Sequence, residues 1–145
     1  MLNESPSTKV KTIPLKGPCT IFAFVQLMLA VVQLAYNFLV LLIDESAFRY
    51  GEVRATLQFY CALTIVWLVF TAIGLSGLIS DRPTPIFIHC IFCLFFFIFQ
   101  SFVLIILICN SRSFVSISLS LVTVLVLGFS LHYERLCFKL MSEAF

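Results

Sequence analysis

The chain has 145 residues, 61% of them hydrophobic and 11% charged. A soluble domain carries about 25% charged residues, so a soluble fold, which would have to wrap long apolar helices in almost no polar surface, is set aside. The net charge of +2 is small and spread along the chain, which excludes a basic face for nucleic acid.

Residues 1–17 are polar and proline-containing and read as a flexible N-terminal tail. Lys9, Lys11 and Lys16 resemble the basic head of a secretory signal. The apolar run behind them is too long for one, and no small-residue cleavage site closes it, so a retained signal anchor is expected. Residues 18–43 form the first expected span. Within it Gln33 falls ~20° to one side of Gln26 and Asn37 ~20° to the other, with Ala30 close to the same stripe. Such a stripe has to face protein or water, because an amide in hydrocarbon is costly.

Residues 44–55 make the longest loop, with a turn expected at Gly51. The second span, 56–79, carries Ala72, Ser76 and Ser80 four apart, a small-residue ladder suited to close helix approach. Trp67 lies mid-span, away from an interfacial aromatic belt. The turn 80–84 is too short to separate its neighbours, so spans two and three must pack together. The third span, 85–108, has no Asp, Glu, Lys or Arg in 24 residues, and as a helix it covers ~36 Å, enough for a bilayer core. The fourth, 114–131, opens on a strand-like alternation, but a lone strand cannot satisfy its backbone in lipid. Wound as a helix it lines up Ser116, Ser120, Thr123, Leu127 and Ser130. Residues 133–145 read as a short C-terminal tail lying helically at the membrane surface.

The fold class predicted is therefore all-α, an integral membrane four-helix bundle spanning residues 18–132, with short loops and both termini on one side. Lys9, Lys11, Lys16, Arg82, Arg135 and Lys139 fall on that side and Arg49, Arg54 and Arg112 on the other, six against three, which orients the termini to the cytoplasm. Glycan at the Asn3-Glu4-Ser5 sequon would overturn this orientation.

Depth along the helices predicts a polar layer. Gln33 and Gln100 each lie fifteen residues past the prolines that open their spans, ~22 Å along. Thr64 and Thr123, counted down the antiparallel spans, come within about one turn of that level. A layer of Gln33, Thr64, Gln100 and Thr123 in the bundle interior is expected. His89, Cys93 and Gln100 share a face of span three, but a structural zinc site wants four ligands and no second Cys/His pair is near, so no metal and no cofactor is expected. No span interior holds Asp, Glu, Lys or Arg, which argues against an ion-coupled transporter. No phosphate loop or hydrolase motif is present, so catalysis is not expected.

The six cysteines read as packing residues, with a Cys61–Cys109 bridge as the alternative. Cys137 and Cys19 lie at span edges and are candidate palmitoylation sites. Tyr133 to Leu136 fits a tyrosine-based sorting signal, although a helix there would hide it.

Four spans, short loops and two cytoplasmic tails resemble small four-span proteins of the MARVEL type and the lysosome-associated, LAPTM-like tetraspans. The resemblance is one of topology over the whole chain. The long loop lacks the W-GLW-C-C pattern of claudins and the CCG of tetraspanins. The resemblance implies membrane organisation or trafficking, in the plasma membrane or in endosomal or lysosomal membranes, with lipids, other membrane proteins or further copies of the chain as partners and no nucleic acid. The alternative is a pore or transporter subunit using the polar layer as a pathway.

Overall fold

The computed structural model describes residues 16–43, 51–109 and 113–144. The sequon at Asn3, most of the N-terminal tail, and Lys9, Lys11, Arg49 and Arg112 lie outside the described residues. Within them the chain forms four α-helices and no strand: α1 (Lys16–Ile43), α2 (Gly51–Ile79), α3 (Pro83–Cys109) and α4 (Phe114–Ala144). Each of the four is long and apolar enough to cross a membrane. α1 packs on α2, α2 on α3, α3 on α4, and α4 back on α1, closing a ring of antiparallel neighbours.

Local chemistry sets the helix ends. α2 stops in a Schellman turn, in which the Arg82 N–H donates to the Gly77 carbonyl at 3.0 Å and Asp81 takes the left-handed conformation, with φ at 54°. Pro83 opens α3 one residue later, where its missing N–H costs nothing. Ser113 caps α4, its hydroxyl 3.4 Å from the Ser116 N–H. Lys16, at the start of α1, reaches Asp81 at 2.6 Å, so the first turn of α1 and the α2–α3 turn lie at the same end of the bundle.

α1 and α3 each begin two residues earlier than the sequence reading, at Lys16 and Pro83, and two boundaries differ by more. α2 begins at Gly51, read above as a turn, so the helix starts five residues earlier than residue 56. α4 runs without a break through His132 to Ala144 instead of ending at Leu131. The reason is packing. Glu134, Cys137 and Met141 continue the buried face of α4, and a helix with a buried face has no cause to stop.

The buried positions follow one rule in all four helices. They fall at 19, 23, 26, 30, 33 and 37 in α1, at 64, 67, 71, 74 and 78 in α2 with Gly77 buried beside the last, at 86, 89, 93, 96 and 100 in α3, and at 120, 123, 127, 130, 134, 137 and 141 in α4. Alternating steps of three and four are the seam of a left-handed bundle. Its occupants are unusual for such a seam: Gln26, Gln33, Thr64, Thr71, His89, Gln100, Ser120, Thr123, Ser130 and Glu134 are all buried alongside a few large apolar side chains such as Trp67, Phe96 and Leu127, while many other large apolar side chains of every helix point outward. The Ala72, Ser76 and Ser80 ladder also lies on the exposed side of α2. Gly74 and Gly77 make the close approach to α3 instead: a Cβ at Gly74 would meet His89 Cγ at 2.6 Å, and one at Gly77 would meet Pro85 Cβ at 2.8 Å.

Candidate functional site

The polar seam residues gather into two layers with an apolar plug between them. The first layer begins His89, six residues after Pro83 and so ~9 Å into α3 from the turn end. His89 Nδ1 lies 2.8 Å from Glu134 Oε2, with both side chains almost wholly buried. The other carboxylate oxygen accepts from Ser130 Oγ at 2.8 Å and lies 3.4 Å from Gln26 Nε2, which also donates to Ser130 Oγ. Gln26 Oε1 accepts the Trp67 indole N–H at 3.2 Å and faces the Cys93 thiol at 3.5 Å. Cys93 Sγ lies one helical turn from His89, 3.3 Å from Nε2 and 3.9 Å from Nδ1. All four helices thus contribute, and Trp67, mid-span as the sequence suggested, has its N–H satisfied in the interior.

Glu134 is the single Asp, Glu, Lys or Arg side chain buried among the described residues. A buried carboxylate is costly unless neutralised and hydrogen-bonded, and His89, Ser130 and Gln26 supply the bonds. His89, Cys93 and Glu134 also offer one ligand atom each within 4.8 Å of one another, the geometry in which a cation could be held.

Above this layer Ala30, Phe96 and Leu127 pack around the Trp67 ring, which stacks on Phe96 at 4.8 Å between centroids. The second layer follows. Gln33 Nε2 donates to the Tyr60 hydroxyl, which donates to Gln100 Oε1. Gln100 Nε2 donates to Ser120 Oγ at 2.8 Å, and Thr123 Oγ1 lies 3.5 Å from Gln33 Oε1. Of the expected residues, Gln33 and Gln100 thus meet in one network, with Tyr60 as the link between the two amides, while Thr123 stands beside Gln33 but gives its hydroxyl proton to the Leu119 carbonyl of its own helix at 2.8 Å. Thr64 is buried beside them but spends its hydroxyl on the Tyr60 carbonyl of its own helix, at 2.8 Å. Nearer the far end, Tyr36 bonds Ser116 at 2.7 Å, and Asn37 Nδ2 is the one buried side-chain N or O without a partner among the described residues.

Cys19 and Cys137, the candidate acylation sites, lie at the turn end, both fully buried and facing one another across α1 and α4. Cys19 Sγ also points at the Tyr133 carbonyl at 3.3 Å. An acyl chain would need either thiol to leave this core. Tyr133 itself stacks on Phe22 at 5.2 Å within a continuous helix, so the tyrosine-based segment is not extended. All six cysteines are free thiols.

Tyr60 and above all Glu134 escaped the sequence reading, and Ser120, read as part of the serine and threonine face of span four, was not assigned to the layer. Tyr60 sits at the helix end where a tyrosine passes for an interfacial residue. Glu134 follows the polar His132 and Tyr133, which look like a boundary. The three-four spacing from Leu127 through Ser130 to Glu134, Cys137 and Met141 was the signal that could have found it. Comparison with models of protein families, with curated proteins and with solved structures finds no match to this chain.

Proposed function

We propose that this chain is an integral membrane protein that works without catalysis. It organises or sorts membrane components through lateral contacts of its helices with lipids and with other membrane proteins or further copies of itself. The observation that carries the reading is the division of polarity. Apart from Asn37 Nδ2, the hydrogen-bonding groups of the seam are spent on one another or on the backbone inside the bundle, and side chains such as Phe24, Val32, Phe95, Phe102 and Leu125 make up the outer face. An outer face of this kind suits hydrocarbon and neighbouring apolar helices, and the outward Ala72–Ser76 ridge suits close approach. The six-to-three bias of basic residues orients both termini to the cytoplasm, in the plasma membrane or an endosomal or lysosomal membrane.

A pore or transporter subunit is the second reading, favoured by the two polar layers stacked along one axis. The plug of Ala30, Trp67, Phe96 and Leu127 speaks against it, since these side chains are 0–2% exposed and separate the layers. Purified protein reconstituted in liposomes tests the two. Self-association or capture of native membrane proteins by crosslinking, without solute flux, is expected. Flux that disappears on Gln33→Leu or Gln100→Leu would establish the pathway instead.

A further inference from the structure

We infer that His89, Cys93 and Glu134 form a binding site for a thiophilic divalent cation of the zinc class inside the helix bundle. The sequence argued against a metal because the partner ligands of His89 and Cys93 were missing nearby. The fold supplies the third from α4, 45 residues away from His89, as a carboxylate 2.8 Å from the imidazole.

Three observations converge on a cation. First, the spacing fits. Ligands around tetrahedral zinc at the usual bond lengths stand ~3.3–3.6 Å apart. Here Nδ1 to Oε2 is 2.8 Å and Nδ1 to Sγ is 3.9 Å, and all three ligand atoms lie within 4.8 Å of one another, so the imidazole–carboxylate edge opens and the thiol draws in as the ion enters. Gln26 Oε1, 3.5 Å from Sγ, stands beside the thiol as a fourth ligand atom. Second, the charge fits. One thiolate and one carboxylate balance a divalent ion, leaving a neutral centre in a bundle whose described residues bury no other acidic or basic side chain. The ion replaces the Cys93 thiol proton, which is released, and displaces the proton held between Nδ1 and Oε2. Third, the ligands are held from behind, as metal ligands generally are. Ser130 bonds the carboxylate, Trp67 fixes Gln26, and Gly74 leaves the room the His89 ring occupies. Thiolate with imidazole selects zinc-like ions over magnesium or calcium, which want oxygen alone.

The full-length protein, purified in detergent under reducing conditions and stripped with a chelator, is titrated with Co²⁺. One equivalent per chain is expected, with a thiolate-to-cobalt charge-transfer band that Zn²⁺ abolishes and Mg²⁺ does not. Cys93→Ser should remove the band, and His89→Asn or Glu134→Gln should weaken binding at least ~10-fold. Cys109→Ser, an exposed thiol outside the cluster, should leave it unchanged. Absence of the band in the unaltered protein, or its survival in Cys93→Ser, overturns the site. X-ray absorption at the zinc edge of the unaltered protein decides without any variant. One sulfur with nitrogen and oxygen neighbours is expected, whereas two sulfurs would move the ion to Cys19 and Cys137 and overturn the assignment.

Discussion

At the scale of single residues, Glu134 has the most to lose. Three side chains from three helices converge on its carboxylate. Glu134→Ala leaves His89, Ser130 and Gln26 short of a partner, and each buried group so stranded costs about 1–3 kcal/mol. Thermal unfolding in detergent, followed by helical circular dichroism, should show a far larger loss than Gln33→Leu. An interhelical bond such as those of Gln33 contributes only ~0.6 kcal/mol on average. Glu134→Gln keeps the shape and two polar atoms and should fall between. The amides were legible in the sequence because an amide in an apolar run has to find a partner. The carboxylate was not, because its polar neighbours disguise a continuing helix as a membrane boundary.

Between elements, the contact of α2 with α3 depends on what is absent. Gly74 and Gly77 leave the space into which His89 and Pro85 fit. Gly74→Ala drives a methyl against the imidazole close to its root, where the side chain has little freedom, and overpacking of this kind costs about 1–3 kcal/mol. Gly128→Ala is the control. Its Cβ would meet Phe97 at 3.4 Å, an ordinary contact, and the removal of a mid-helix glycine should stabilise by about 0.5–1 kcal/mol. Equilibrium unfolding of the two variants should therefore move in opposite directions. The turn between these helices makes a similar distinction. Asp81→Gly accepts the positive φ and gives up only a partly exposed ion pair with Lys16, worth about 0–1 kcal/mol. Asp81→Val adds the strain of a β-branched residue in the left-handed region, about 1–2 kcal/mol more. The pairing of α2 with α3 was legible from the length of the turn. The face used was not: a ladder four residues apart identifies a stripe on a helix but says nothing about which way the stripe looks, and the glycines beside it carry the contact.

For the whole molecule, the seam has the spacing of a soluble bundle and the opposite chemistry, polar within and apolar without. If the outer face meets lipid, Phe95→Arg should be costly, about 2.5–3.5 kcal/mol for a charge at the centre of a span, and should lower the membrane-inserted yield. In a water-exposed bundle the same change would be neutral or would improve solubility, so expression and fractionation of this variant separate the two. The cytoplasmic orientation is checked by a C-terminal tag in sealed microsomes. Digestion by added protease is expected, and protection would reverse the orientation. The four helices were legible because long charge-free runs have few alternatives, whereas the closure of α4 onto α1 was not, because no turn joins those two helices.

The plug formed by Ala30, Trp67, Phe96 and Leu127 insulates one polar layer from the other. Gln26 and Gln33 are seven residues apart on α1, a rise of ~10 Å. Substitutions that far apart with no shared partner add within about 0.3–0.5 kcal/mol, so Gln26→Leu and Gln33→Leu together should destabilise by the sum of their separate effects. Gln33 and Gln100 share the Tyr60 hydroxyl, and their double variant should depart from the sum. The bundle would then behave as two separately adjustable units on one scaffold, one holding the imidazole, thiol and carboxylate, the other holding only neutral groups.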